Sequence, residues 1–150
     1  VDVYSLNEDE MQTYLGRTVD LLSVDDVTAA LDDLHALIPA RTLVVHTKYW
    51  SLALGERAGD YTSALRGGIV MASTRYRFGD GFTAADYRSV SEGMSNPRGE
   101  ALAVALRDAL GPRVSIVPAL ALDHVSRPTT IGLGDTFVGG VLAALAVRGE

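Results

Sequence analysis

Cysteine is absent from the 150 residues, which excludes disulfide frameworks, thiol nucleophiles and thiolate-ligated zinc together and fits a cytoplasmic protein. Lysine is scarce: Lys48 is the single lysine among 13 cationic residues, the rest being arginine. A P-loop needs lysine behind a glycine run, and Lys48 follows His46 and Thr47, so that class of nucleotide site is excluded. Positive charge is in deficit, with 13 Lys and Arg against 19 Asp and Glu for a formal net charge of -6. Since the basic residues also gather on no segment, nucleic acid is not an expected partner. Long hydrophobic runs are missing as well: the apolar stretch at residues 139–147 falls well short of the roughly 20 residues that span a bilayer, so no membrane anchor is expected. Histidine is sparse, and His35, His46 and His124 show no metal-site spacing.

What is present suits a folded domain. At 15.9 kDa, 47% apolar and 21% charged, with mean hydropathy +0.15, the chain has enough apolar surface for a core without covalent staples. It opens on Val1-Asp2-Val3-Tyr4-Ser5-Leu6, a strand pattern entered in mid-fold, and closes at Arg148-Gly149-Glu150 behind an apolar helix pattern. A fragment of a longer protein is the expectation.

Strand and helix patterns alternate. A helix follows the opening strand with Asn7 as N-cap, closed or bent at Gly16. From Ser23 the apolar spacing Val27, Ala30, Leu31, Leu34, Leu37, Ile38 predicts an amphipathic helix ending at Pro39. Thr42-Leu43-Val44-Val45-His46 reads as a buried parallel strand. Helices are expected at 60–77, where Gly67-Gly68 weakens the pattern, at 83–93 and at 98–110 behind Asn96-Pro97. Val114-Ser115-Ile116-Val117 is a further buried strand. A polar connector at 123–130 leads to Gly132-Leu133-Gly134-Asp135 and a last helix from Thr136 to about Val147. The alternation predicts an α/β architecture with a mainly parallel sheet and a ligand site at the strands' carboxyl ends.

Two short motifs carry chemistry, each with a plain structural alternative. The glycines of Gly132-Leu133-Gly134-Asp135 let backbone N–H groups approach an anion at a helix amino end, and Asp135 is placed to take a proton from a hydroxyl. The same four residues also read as an Asp cap behind a glycine turn. Asn7-Glu8-Asp9-Glu10 is either a capping box or a carboxylate group for Mg²⁺, which prefers one or two carboxylates with water and phosphate. Gly79-Asp80-Gly81-Phe82-Thr83-Ala84 fits a relaxed dinucleotide fingerprint, but a turn explains it more simply. Trp50 fits the core better than a base-stacking role, and Arg75, Arg127 and His124 read as surface or structural groups before phosphate contacts.

In combination and order, Asn7 to Glu10, then His46-Thr47-Lys48-Tyr49-Trp50, then Pro118, Val125, Pro128 and Thr129-Thr130-Ile131-Gly132-Leu133-Gly134-Asp135, the chain resembles the ADP-dependent glucokinase and phosphofructokinase family. That family belongs to the ribokinase-like sugar kinases. The resemblance spans residues 6–140 in three islands, and the last is the most specific. Residues 71–82 depart from the pattern by carrying Arg75, Tyr76 and Arg77.

The resemblance implies a ribokinase-like three-layer α/β/α fold, of which residues 1–150 are the nucleotide-binding, catalytic part, with the sugar-binding and lid portion outside this chain. It implies transfer of the β-phosphoryl of ADP to a hexose or hexose phosphate, giving AMP. Asp135 is then the general base, and the N–H groups of Gly132, Leu133 and Gly134 the anion hole. Glu10 and Asp135 are the Mg²⁺ candidates, and Asn7, His46, Thr47, Val125 and Gly134 face the nucleotide. Two other readings stay open: an ATP-dependent ribokinase-type kinase, which shares the G-x-G-D motif, and a nucleotide-binding domain without catalysis.

Overall fold

The computed structural model describes residues 2–122 and 124–148. Val1, Asp123, Gly149 and Glu150, expected in the opening strand, at the head of the connector and at the chain's end, lie outside the described residues.

The chain starts with strand β1 (Val3–Asn7) and helix α1 (Glu8–Leu15), which Gly16 ends in the left-handed region at φ 64°. Helix α2 (Val24–Leu37) starts where the Ser23 side chain accepts the Asp26 N–H, and Ile38 and Pro39 stop it. Strands β2 (Thr42–His46) and β3 (Trp50–Gly55) follow, then a short 3-10 turn (Ala58–Tyr61) and helix α3 (Thr62–Phe78). Helix α4 (Ala84–Ser91) is capped by Thr83, and α5 (Pro97–Leu110) by Asn96 with Pro97 in its first turn. A 3-10 turn, β4 (Val114–Pro118), an irregular connector and helix α6 (Leu133–Arg148) complete the described chain. Gly79-Asp80-Gly81 is a turn between α3 and α4, as the simpler reading has it.

The sheet order is β1-β2-β3-β4. Here the expectation of a mainly parallel sheet is corrected: β1 pairs with β2 in parallel, but β2 with β3 and β3 with β4 are antiparallel, so the sheet is mixed. The cause is β3, which the sequence reading does not anticipate. Thr47 folds the chain back on itself, its N–H and hydroxyl both donating to the Trp50 carbonyl and its hydroxyl oxygen accepting from the Tyr49 and Trp50 N–H groups. The resulting tight hairpin inserts Trp50 to Gly55 between two strands that share a direction.

Alternating side chains put one core on each face of the sheet. On one face Leu43, Val45, Trp50, Leu52 and Ile116 meet Met11 of α1, the apolar stripe of α2 and Leu102 and Leu106 of α5. Trp50 is fully buried there and its indole N–H donates to the Leu21 carbonyl at 2.7 Å, so the core reading of this residue holds. On the other face Val44, Ala53 and Val117 meet Leu65, Ile69 and Val70 of α3, Val90 of α4 and Phe137 and Val141 of α6.

Helices α3 and α6 cross with their backbones in near contact. A Cβ at Gly140 would stand 2.6 Å from the Gly67 carbonyl oxygen and 2.9 Å from the Gly68 Cα. Gly67-Gly68, a weakness on helix propensity alone, is therefore a packing surface for α6. Gly140→Ala is expected to destabilise the chain by about 2–3 kcal/mol through overpacking against backbone that cannot yield. Gly139→Ala, where a Cβ meets nothing within 4 Å, is expected to be neutral or stabilising by about 0.5–1 kcal/mol. Urea unfolding of the two variants checks both signs.

Candidate functional site

The parallel pairing of β1 and β2 sets Asn7 beside His46 at their carboxyl ends. Asn7 also starts α1: its Oδ1 accepts from the N–H groups of Asp9 and Glu10 at 2.9 and 2.8 Å, and Glu10 Oε2 accepts the Asn7 N–H at 2.9 Å. The capping box is thus formed, and it occupies the Asn7 side-chain oxygen Oδ1 and one carboxylate oxygen of Glu10. Glu8 reaches the other way, its carboxylate accepting the Lys48 N–H at 3.0 Å and tying α1 to the hairpin turn.

His46 sits at the centre of this edge. Its ring stacks on Phe137 of α6 with centroids 4.3 Å apart and planes at 16°, and its Nε2 lies 3.5 Å from where a Gly134 Cβ would be. Among the described residues both ring nitrogens are shut off from solvent and have no hydrogen-bond partner. Burial pushes the imidazole down to about 4, against a smaller opposing pull from the negative charge of Glu10. The ring is accordingly neutral at pH 7.

The amino end of α6 completes the arrangement. Gly132 adopts φ 75°, which favours glycine, and a Cβ there would also approach Arg75 Nη1 at 3.0 Å. Helix α6 begins at Leu133 rather than Thr136, so the glycine motif lies in its first turn. The Thr136 N–H and hydroxyl both donate to the Gly132 carbonyl. Among the described residues nothing accepts from the N–H groups of Leu133, Gly134 and Asp135. Three free donors at the positive end of a 16-residue helix favour an anion. Asp135 is exposed beside them.

Arg75 holds this turn in place. Its guanidinium donates to the Ile131 carbonyl and to Asp80 at 2.7 Å, and Thr129 N–H donates to the Tyr76 carbonyl at 3.1 Å. The structural reading of Arg75 is therefore the one observed, and the segment that departs from the family pattern is the seat of the glycine turn. Phe137 has no sequence signal of its own, being one apolar residue in an apolar helix.

The fold thus gathers Asn7, Glu10, His46, Gly132, Leu133, Gly134 and Asp135 at one edge. It spends the Thr47 hydroxyl on the hairpin turn, and it leaves Val125 half-buried in the connector, in neither core. Among the described residues no three His, Cys, Asp or Glu side chains form a group that could hold a metal ion. Glu10 and Asp135 are hence not parts of a protein cage. As separate carboxylates they suit Mg²⁺ shared with phosphate oxygens and water, which is its usual mode. A cavity of about 950 Å³ lies at the opposite end of the sheet beside Thr42, Gly55 and Arg113, away from the candidate site. No helix among the described residues is long and apolar enough to cross a membrane.

No family model and no curated protein matches the sequence, but solved structures share the fold. A phosphofructokinase from Pyrococcus horikoshii OT3 with AMP matches with TM-score 0.78 at 20% identity, over 100% of this chain and 38% of that one. A last common ancestor of ADP-dependent phosphofructokinases from Methanosarcinales matches at 0.74 and 16% identity, over 99% of this chain and 37% of its own. An ADP-dependent kinase in complex with fructose-6-phosphate and ADPβS matches at 0.73 and 16%, over 99% and 39%. The chain therefore has the fold of under two fifths of these ADP-dependent kinases.

The buried neutral His46 has a consequence for stability. Its native pKa, about 4, lies below its ordinary 6.5, so the unfolded chain binds more protons between these values and stability falls as pH drops through that window. The loss from this group is expected to approach ~3 kcal/mol at pH 4. Urea unfolding of the wild type and His46→Gln from pH 7 to 4 checks it: the variant should show a visibly flatter dependence.

Proposed function

We propose that the chain is the nucleotide-binding, catalytic-base part of an ADP-dependent sugar kinase, built as a ribokinase-like α/β/α domain. The observation that carries the reading is the α6 amino end, with three unsatisfied N–H donors and the exposed carboxylate of Asp135, set against the neutral ring of His46 at the carboxyl ends of two parallel strands. Helices on both faces of the sheet and the likeness to ADP-dependent kinases support it.

In this reading the β-phosphoryl group of ADP lies on the free N–H groups of Leu133 and Gly134, with the N–H of Gly132 in the turn beside them. The acceptor hydroxyl oxygen attacks the β-phosphorus in line, Asp135 takes the hydroxyl proton, and the bond from the β-phosphorus to the bridging oxygen breaks, so that AMP leaves with that oxygen. Negative charge grows on the transferring oxygens as the dipole end of α6 faces them, which lowers the barrier without rearrangement. Glu10 and Asp135 would hold Mg²⁺, whose contribution when bound is to neutralise phosphate charge. Asn7, His46 and Val125 serve the nucleotide side. Thr47 serves through the turn that it closes, and His46, uncharged and packed on Phe137, fixes the depth of the glycine turn. The acceptor in this reading is a hexose or hexose phosphate, and the fructose-6-phosphate in the matched complex supports that class.

The test is Asp135→Asn in the enzyme as expressed from its gene, assayed for transfer from ADP to glucose and to fructose 6-phosphate. A fall in kcat of about 10²–10⁴ is expected for loss of a general base, and a near wild-type rate would remove Asp135 from that role. Thermal shifts with ADP, AMP and ATP in Mg²⁺ separate the donor classes, with the larger shift expected for ADP.

A further inference from the structure

Among the described residues the sheet ends at β1, whose one partner is β2. Thr42 stands opposite Val3 and donates its N–H to the Asp2 carbonyl at 3.0 Å. A parallel ladder with that register turns the backbone groups of Tyr4 and Leu6 toward β2 and those of Val3 and Ser5 outward. Glu10 accepts the outward N–H of Asn7, but among the described residues nothing pairs with the outward groups of Val3 and Ser5. The Ser5 hydroxyl is also without a partner there, although its oxygen is shut off from solvent. The strand itself, Val3–Asn7, carries no proline, no charge and no bulge, the usual devices that blunt an exposed edge. The other end of the sheet differs: Val114 to Val117 of β4 are buried, and the chain just beyond them is paired with Met94 and Asn96.

Helix α6 is open on the same side. From Phe137 to Val147 it carries no polar side chain, and a helix that is apolar all round is ordinarily buried all round. Its Gly140 and Ala144 lie against Gly67 of α3, and Phe137 and Val141 lie on the sheet face. Leu142 and Ala146, about 200° round the helix from Gly140 and Ala144, are exposed, Leu142 by 60%. Since α3 packs on β3 and β4 while α6 rests on His46 of β2, the flank of α6 turned away from α3 overhangs the free edge of β1.

We propose that this edge and flank are one docking surface, and that its occupant is a strand and helix from further chain of the same polypeptide. The strand pairs with Val3 and Ser5, and the helix covers Leu142 and Ala146. A helix on that face is what a parallel crossover beside β1 delivers. Length supports the occupant: the whole of this chain corresponds to 38% of the matched phosphofructokinase and 39% of a second ADP-dependent kinase from end to end of the match, which leaves over half of each for such additions. A second copy of this chain fits less well, because antiparallel pairing of β1 about Ser5 sets Asp2 against the copy's Glu8, like charge on like charge, in a chain of net charge -6. With a parallel strand in place, its carboxyl end arrives beside Asn7 and gives the candidate site a wall on that side. The inference rests on the shared fold and not on the phosphoryl-transfer reading.

The experiment compares residues 1–150 with the polypeptide as expressed from its gene, reading amide hydrogen exchange at Val3, Tyr4, Ser5 and Leu6 by NMR. In the gene product Val3 and Ser5 are expected to be as protected as Tyr4 and Leu6, and in residues 1–150 to exchange faster than those two. Leu142→Glu is expected to lower the melting midpoint of the gene product by about 5 °C or more, the scale of a charge forced into a packed interface. A gene that encodes nothing beyond these residues, fast exchange at Val3 and Ser5 in its product, or a midpoint unmoved by Leu142→Glu overturns the proposal. Protection at Val3 and Ser5 that appears in residues 1–150 together with a dimer assigns the edge to a second copy and overturns it equally.

Discussion

The crossing of α3 and α6 at Gly67, Gly68 and Gly140 leaves no room for one further side-chain carbon, and the position of the α6 amino end follows from it. Helices that touch backbone to backbone have little freedom to slide, because each glycine is the slot for the opposing chain. With α6 held in that slot, Phe137 meets the His46 ring and Gly134 arrives against the same imidazole. Arg75, one turn before the end of α3, then fixes the last residues ahead of the helix through Ile131. One helix thereby supplies both the bed on which α6 lies and the clamp on its entry.

In the proposed reading the burial of His46 keeps this edge fit for phosphate. A protonated imidazole would compete with the α6 dipole for the anion and draw it toward the sheet. Burial beneath Phe137 keeps the ring uncharged in spite of Glu10. In the proposed reading the charge that meets an anion is delivered by backbone N–H groups, which need no reorganisation. The capping box of α1 has a similar economy: Asn7 and Glu10 satisfy the helix start and still stand at the strand ends.

Much of this was open to inspection in the residues themselves. Helix starts at Asn7, Ser23, Thr83 and Asn96 are legible because capping is a local interaction between neighbours in the chain, and β2 and β4 are legible as runs of β-branched residues. Strand β3 is not, since Trp50-Ser51-Leu52-Ala53-Leu54 is buried on both faces and lacks a period that separates strand from helix; with β3 unseen, the direction of two of the sheet's three pairings is unseen too. Gly67-Gly68 reads as a defect because propensity counts only the helix it belongs to, whereas the value of these residues lies in another helix some 70 positions away. The motif residues of the candidate site are visible in order, but the spending of the Thr47 hydroxyl on a turn and the seating of Gly132 by Arg75 depend on tertiary contacts that no spacing encodes.

Helix α6 makes its most extensive contacts with α3, and Phe137 and Val141 join it to the sheet face. Cooperative units in a protein open at a cost set by the surface that joins them to the rest. Separating α6 from α3 would withdraw Phe137, the glycine turn and Asp135 together. The proposed anion-binding edge is in this sense a property of docking, assembled only where α6 lies on α3 and on the sheet face.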